Sequence, residues 1–474
     1  MGKEFRPELF EPGDLETWLK AALASATQEE ISKALQHQDA DNIVLNALYF
    51  PGEDIKPLRN AAVNRGYPAV RQWIWYLEED KVREDVDEAF EGGATEVEIF
   101  GEYPASSDFF KHLLQGLDPE RMVMWFDVGE SHAMLPFLLA DEFSVLLTDP
   151  SYVRGGINYD PLTALAFTGR YIGKKSEAVR TVRAVWKEGG ALLPLFKMLS
   201  LQGIAYHDAG ASPSLELALI LALVEAYLQW LEPESLDQLA HRMEVRLSAD
   251  VDVAATVARF QAFPVLWQNF TEALGLQANP PTVTAVLSRL AFSAFDVHNN
   301  LVRQTLAAVG AVMGGCDCMM AEPYDVVKKL PDRRSYRLTR NLMLLLKYES
   351  DLQECLRLAE GSLYIQQYAG RMAEEAWKYF LDIQKAGGFE AALEKGYIQS
   401  LVHRKWQEQV LRFQNLERIV VGANKYPLAS ERIEELPLLP FRYSPVRGNK
   451  AFEPLQENQL LRRLDEARWK ATSS

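Results

Sequence analysis

The chain has 474 residues, 48% hydrophobic and 24% charged, the balance of a globular protein that buries a large core. Its net charge of −16 and pI near 5.1 exclude nucleic acid as the main partner, because phosphate binding needs a basic face. Three cysteines, Cys316, Cys318 and Cys355, give no disulfide framework and suit a reducing cytoplasm. The opening MGKEFRPELFEPGD has no apolar signal core, and two Glu and a Gln interrupt Leu215 to Leu231, so no membrane segment is expected.

Residues 1–64 read as a helical arm. Asp14 and Thr27 are candidate helix caps, and Thr27 with Glu30 has capping-box spacing. From residue 65 to 330, short apolar runs alternate with helical stretches. Strands are expected at 70–77, 96–100, 122–126, 143–147, 195–201, 283–287 and 316–320. Helices are expected at 81–90, 107–117, 132–139, 161–167, 176–186, 215–230, 251–274 and 299–313. Such alternation argues for βαβ units, and their number over about 250 residues favours a (β/α)8 barrel over an open sheet. Ser212 is the expected N-cap of the most apolar helix, with Pro213 at its first position and Glu216 in its first turn. The stretch Gly203 to Ala211 is expected to be a loop at the carboxyl end of a core strand, where α/β folds place chemistry.

Residues 331–427 read as a helical layer, with helices at 333–346, 370–385 and 389–395. Residues 428–474 are rich in proline and charge and read as an extended tail, with an amphipathic helix near 458–469.

Isolated chemistry is sparse. Cys316-x-Cys318 lacks the second pair of a structural zinc site, so buried thiols are expected there and no metal. Asp317 and Glu322 stand near a strand end, as functional groups or as caps. His207 beside Asp208 could serve as a general base. Adjacent residues on an extended chain, however, face opposite sides. No Walker A, G-x-G-x-x-G or G-x-S-x-G pattern is present.

Several stretches, taken together and in order, resemble the adenosylcobalamin-dependent acyl-CoA mutases of the methylmalonyl-CoA mutase family. Leu201 to Tyr227, LQGIAYHDAGASPSLELALILALVEAY, is similar to that family's strand–loop–helix. So are Gly155 to Tyr171, GGINYDPLTALAFTGRY, and Leu301 to Asp317, LVRQTLAAVGAVMGGCD. Glu349-Ser350-Asp351-Leu352, Gly387-Gly388 and Val421 to Tyr426, VGANKY, continue the likeness, which covers residues 65 to 427. The resemblance implies a TIM barrel through whose axis acyl-CoA threads.

The departures carry as much information. Anchored on Asp208-Ala209-Gly210-Ala211, the family's catalytic His falls on Ala205 and the Tyr before it on Ile204. The substrate-contacting Gln falls on Asn158, and the Arg that holds the substrate carboxylate on Thr168, two residues before Arg170. The substrate loop expected near Gly66-Tyr67-Pro68 looks deleted, and the cobalamin motif D-x-H-x-x-G has no match. The resemblance therefore implies no catalytic, cofactor-binding or metal residues on this chain. It implies the non-catalytic small (beta) subunit of a heterodimer, beside a catalytic alpha subunit that carries adenosylcobalamin and interconverts methylmalonyl-CoA and succinyl-CoA. Residual acyl-CoA binding stays open. The second reading is a catalytic substrate barrel whose cobalamin domain is a separate chain. The arm and the tail are the segments expected to wrap a partner.

Overall fold

The computed structural model describes residues 15–27, 30–31, 35–47, 49, 66–128, 134–146, 149–233, 235–354, 356, 358–428, 430–433 and 450–473. Eight parallel strands run in a ring: β1 (Ala69–Trp75), β2 (Glu96–Phe100), β3 (Val123–Asp127), β4 (Gly155–Asn158), β5 (Phe196–Lys197 and Leu199–Gln202, one strand broken at Met198), β6 (Met243–Ala249), β7 (Thr282–Leu287) and β8 (Cys318–Ala321). β8 pairs back onto β1, with Cys318 beside Ala69. The ring closes through the break in β5. Its first piece pairs with β4 and its second with β6, and the Met198 and Leu199 N–H groups both donate to Arg242 O, at 2.8 and 3.4 Å. This is the expected α/β TIM barrel.

Side-chain alternation along each strand decides what faces the axis. Outward residues such as Val70, Ile74, Val97, Ile99, Val245 and Leu247 join one apolar shell beneath the helices. Inward positions carry charge. Arg71 of β1 lies 2.7 Å from Glu244 of β6, 2.8 Å from Glu96 and 3.4 Å from Glu98 of β2. Arg246 grips Glu98 with two hydrogen bonds, 2.7 and 2.8 Å, and donates from Nε to Glu244 at 2.7 Å. The Arg71 guanidinium sits 3.8 Å above the Trp125 ring. Gly156 makes room for that ring, since a Cβ there would stand 2.4 Å from it. Arg71, Arg246, Glu98 and Glu244 are at most 1% exposed.

Toward the carboxyl ends of the strands the lumen turns apolar. Trp73, Trp75, Ile204, Val286, Phe295 and Met320 form a second, separate cluster there. The residues after β7 and β8 supply part of it, including Tyr324, against which the His298 ring stacks at 5.9 Å.

The helix Pro213–Leu231 is the core of the outer layer, with sixteen of nineteen residues buried. By length and composition it could cross a membrane, but here it is enclosed by the protein. The helices Leu363–Lys385 and Gly388–Glu394 pack against its outer side. Its N-terminus is not capped by Ser212. Ser212 Oγ donates to Asp41 Oδ1, and Asp41 Oδ2 accepts the Ser214 N–H at 2.8 Å. The cap is thus borrowed from the N-terminal arm, where Gln36–Gln38 and Val44–Asn46 form an antiparallel hairpin. Earlier in the arm, Leu15–Leu23 is a helix and the Thr27–Glu30 box forms, with Thr27 N–H donating to Glu30 at 2.9 Å and Glu30 N–H to Thr27 Oγ1 at 3.3 Å. The Asp14 cap lies outside the described residues.

Some expectations fail for identifiable reasons. Of the strand expected at 143–147, residues 143–146 are helical, and 147 lies outside the described residues. Leu135–Leu146 is one helix that buries Leu139, Ala140 and Phe143 and leaves Val145 76% exposed. The strand instead forms at Gly155–Asn158, where side chains would not fit: a Cβ at Gly155 would stand 2.0 Å from Met124 O. β6 and the helix Tyr397–Gln414 add to the expected elements, the helix expected from 370 begins at Leu363, and Gly203–Asp208 is a short helix rather than a loop. Asp317 precedes β8 at the amino end of the barrel, where its Oδ2 accepts the Val283 N–H at 2.7 Å.

The described part of the tail lies on this chain itself. Ala451, Leu455, Asn458 and Leu460 donate backbone N–H groups to Gly169, Ala166, Asp208 and Leu290. Asp465 accepts from Ala294 N–H at 2.8 Å and Ser293 Oγ at 3.0 Å, and Trp469 packs on the inner apolar cluster. The tail therefore crosses the carboxyl face of the barrel.

Burial alone would raise the Glu244 carboxyl, but Arg71 and then Arg246 outweigh it and hold the pKa at about 2, below the ordinary 4.5. A depressed carboxylate stabilises the fold above its unfolded value and loses that contribution as pH falls through the folded value. Acid titration followed by near-UV circular dichroism should show this loss between pH 4.5 and about 2. At neutral pH, Glu244→Gln should cost about 3 kcal/mol in urea unfolding, because it removes a carboxylate that two buried guanidinium groups share and leaves them Glu96 and Glu98 alone.

Candidate functional site

TIM barrels place chemistry at the carboxyl ends of their strands. Three residues meet there from β3, β4 and β5. Gln202 Nε2 donates to Asn158 Oδ1 at 2.7 Å, and Asn158 Nδ2 donates to Asp127 Oδ1 at 3.2 Å. Beside them Asp160, directly after β4, is fully enclosed. Its Oδ1 accepts from Thr163 N–H at 3.0 Å and Tyr227 OH at 2.7 Å. Its Oδ2 accepts from Thr163 Oγ1 at 2.6 Å and Gln202 N–H at 3.0 Å. Burial pushes its pKa up, against these four donors. The amides and carboxylates are spent on one another. They form a ladder that ties strand ends together, and no acid–base pair aimed at open space.

The three positions singled out by alignment do not come together. Asn158 belongs to the ladder. Ala205 lies in the helix Gly203–Asp208, wholly buried in the outer apolar shell. Its neighbour Ile204 is the residue that turns toward the mouth, in the inner cluster. Thr168 ends the helix Pro161–Thr168 and donates to Ala164 O at 2.7 Å and Arg170 O at 3.0 Å. It faces a cavity of about 60 Å3 in the helical shell, and Arg170 is exposed.

The other sequence candidates separate as well. His207 is 4% exposed and its Nε2 shares a hydrogen bond with Ser288 Oγ at 2.8 Å. The helical turn, not an extended chain, sets its direction. Glu322 follows β8 and meets Arg289 at 2.7 Å, and Arg289 also meets Glu457 of the tail at 3.1 Å. Cys316 and Cys318 are both buried free thiols. They serve opposite faces: Cys316 joins the outer shell, while Cys318 Sγ lies 3.8 Å from Glu96 in the lumen. Among the described residues no cluster of His, Cys, Asp or Glu could hold a metal.

The residues that define this barrel were not singled out in the sequence: Arg71, Glu96, Glu98, Glu244 and Arg246. A signal existed. Four of the five, Glu96, Glu98, Glu244 and Arg246, sit in a strand with another charged residue two positions away, as in EVEIF and MEVRLSA, whereas Arg71 is flanked at that spacing by Ala69 and Trp73.

The chain matches the family model described as methylmalonyl-CoA mutase over residues 84–470. It is 31% identical over 311 residues to a methylmalonyl-CoA mutase small subunit of Streptomyces virginiae, covering 64% of this chain and 50% of that protein. A methylmalonyl-CoA mutase small subunit of Porphyromonas gingivalis is 25% identical over 447 residues, 89% of this chain and 71% of that protein. A methylmalonyl-CoA mutase large subunit of Propionibacterium freudenreichii subsp. shermanii is 26% identical over 288 residues, 60% and 39%. The chain spans about half the length of the first of these relatives. With its closed parallel barrel and a match extending over most of its residues, the chain belongs to the methylmalonyl-CoA mutase family.

Proposed function

We propose that this chain is the non-catalytic small (beta) subunit of a heterodimeric, adenosylcobalamin-dependent methylmalonyl-CoA mutase. It supports a catalytic alpha subunit that interconverts methylmalonyl-CoA and succinyl-CoA. One observation carries the reading. The side chains on the barrel axis, Arg71, Glu98, Glu244 and Arg246, are at most 1% exposed. A passage wide enough for a pantetheine chain would expose the walls it runs between. Residual acyl-CoA binding along the axis is therefore not part of this proposal.

The mouth supports the same reading. Ile204, Trp75 and Phe295 fill it and the tail runs over it. These residues do not fit a corrin ring, which is broad, flat and edged with amides. Adenosylcobalamin is accordingly assigned to the partner, and no step is routed through it here. A radical reaction needs that cofactor, since side chains cannot supply homolysis. The alternative, a catalytic barrel with a detached cobalamin domain, needs an imidazole where Ala205 stands, in the outer shell. The buried free thiols suit a cytoplasmic setting.

The test is a mutase assay with adenosylcobalamin and methylmalonyl-CoA, on this chain alone and with a catalytic subunit, with mass followed by size exclusion. No turnover alone, a 1:1 complex and activity on mixing are expected. Turnover by this chain with only a small cobalamin-binding protein would overturn the reading. Ala205→His combined with Thr168→Arg should restore no activity. Ala205→His alone should lower unfolding stability by about 1–3 kcal/mol, because it inserts a ring into a filled shell.

A further inference from the structure

Outside the lumen, a cavity of about 710 Å3 lies between the N-terminal hairpin, the helices Val253–Ala273 and Asn299–Gly314, and the chain that follows Tyr397–Gln414. That is the size range of pockets for small organic ligands. Four arginines line it, Arg259, Arg303, Arg412 and Arg418, on a chain whose net charge is −16. Two of them have incomplete partners. Arg259 is 2% exposed. Its Nη1 is held by Ser248 O at 2.5 Å and by Glu216 at 3.2 Å, while its buried Nε has no partner among the described residues. Arg303 donates to Asn300 Oδ1 at 2.7 Å and to Val421 O at 2.6 Å, both neutral oxygens. Burial holds its pKa below the ordinary value, against the pull of Asp296 and Asp465. Arg418 donates to Asp250 at 3.4 Å and to the neutral Gln409 Oε1 at 3.1 Å.

The remaining walls are apolar. Val302, Leu306, Ile419 and Val421 line the cavity, and each is substantially exposed. Carboxylates of Asp39, Asp250, Asp252 and Glu417 line it too, so a phosphate dianion would meet strong repulsion. A single negative charge on an apolar body matches the arrangement better: guanidinium groups take the head and the aliphatic wall takes the chain. We propose that this cavity is a binding site for a monocarboxylate with an apolar body, held by the arginine cluster with its chain along Val302, Leu306, Ile419 and Val421. The inference is independent of the subunit role proposed above.

Calorimetric titration of the full chain with octanoate, octanamide and inorganic phosphate tests it. Octanoate should bind saturably at one site, with octanamide and phosphate at least about tenfold weaker, the worth of one charge-assisted contact. Arg303→Gln or Arg418→Gln should weaken octanoate by about tenfold and leave octanamide unchanged. Leu306→Trp, on an exposed position, should weaken both organic probes by filling the aliphatic side, with the melting temperature reporting that each variant is folded. Equal binding of octanoate and octanamide, tighter binding of phosphate, no saturable octanoate binding, or octanoate binding unchanged in all three variants would each overturn the assignment.

Discussion

Two guanidinium groups and two carboxylates share a dry space at the centre of the barrel, with the half-buried Glu96 at its edge, and little else in the fold is free to vary around them. A buried charge without its partner is far more costly than a misplaced methyl group. Arg71 on β1, Glu96 and Glu98 on β2, and Glu244 and Arg246 on β6 must therefore keep their registers together. A slip of one residue in any of these strands would turn a charge into the apolar shell and leave its partner alone on the axis. The network thus links strands on opposite sides of the ring, which backbone pairing alone cannot do. It also seals the axis. The feature that specifies the barrel is the feature that fills its axis with buried side chains.

The sequence disclosed the barrel better than it disclosed what fills it. Residues 96–100 alternate and read as a strand, but alternation normally signals one wet face, and here the polar face turns to the barrel interior. β6 escaped notice for the same reason. MEVRLSA has no apolar run, because Glu244, Arg246 and Ser248 occupy every second position, yet all seven residues are buried. β4 escaped because two adjacent glycines weaken any strand signal, although neighbouring atoms require them. Phe143 reads as part of a strand because four apolar residues in a short window do not distinguish strand from helix. Ser212 looked like a cap from local spacing. The actual cap comes from Asp41, 171 residues away, a distance no local rule spans. Resemblance placed Ala205, Thr168 and Asn158 in register with a known site, but it could not say which way they face. That depends on the helical turn at Gly203–Asp208, where Ile204 and Ala205 part to opposite layers.

The outer layers are joined by the same kind of long connection. Lys405 donates to Ala40 O at 3.2 Å and lies 3.9 Å from Asp41, while Arg412 donates to Gln38 O at 2.8 Å. The hairpin is held at once by the core helix Pro213–Leu231 and by Tyr397–Gln414. Arm, barrel and helical layer therefore meet at one buried carboxylate.

That joint has a consequence for biosynthesis. Residue 40 and its partner Lys405 are 365 positions apart in the chain. At translation rates of about 5–20 residues per second, the hairpin emerges roughly 20 to 70 seconds before the helix that clasps it. For that interval the hairpin has been made but lacks the helix that completes its resting surface.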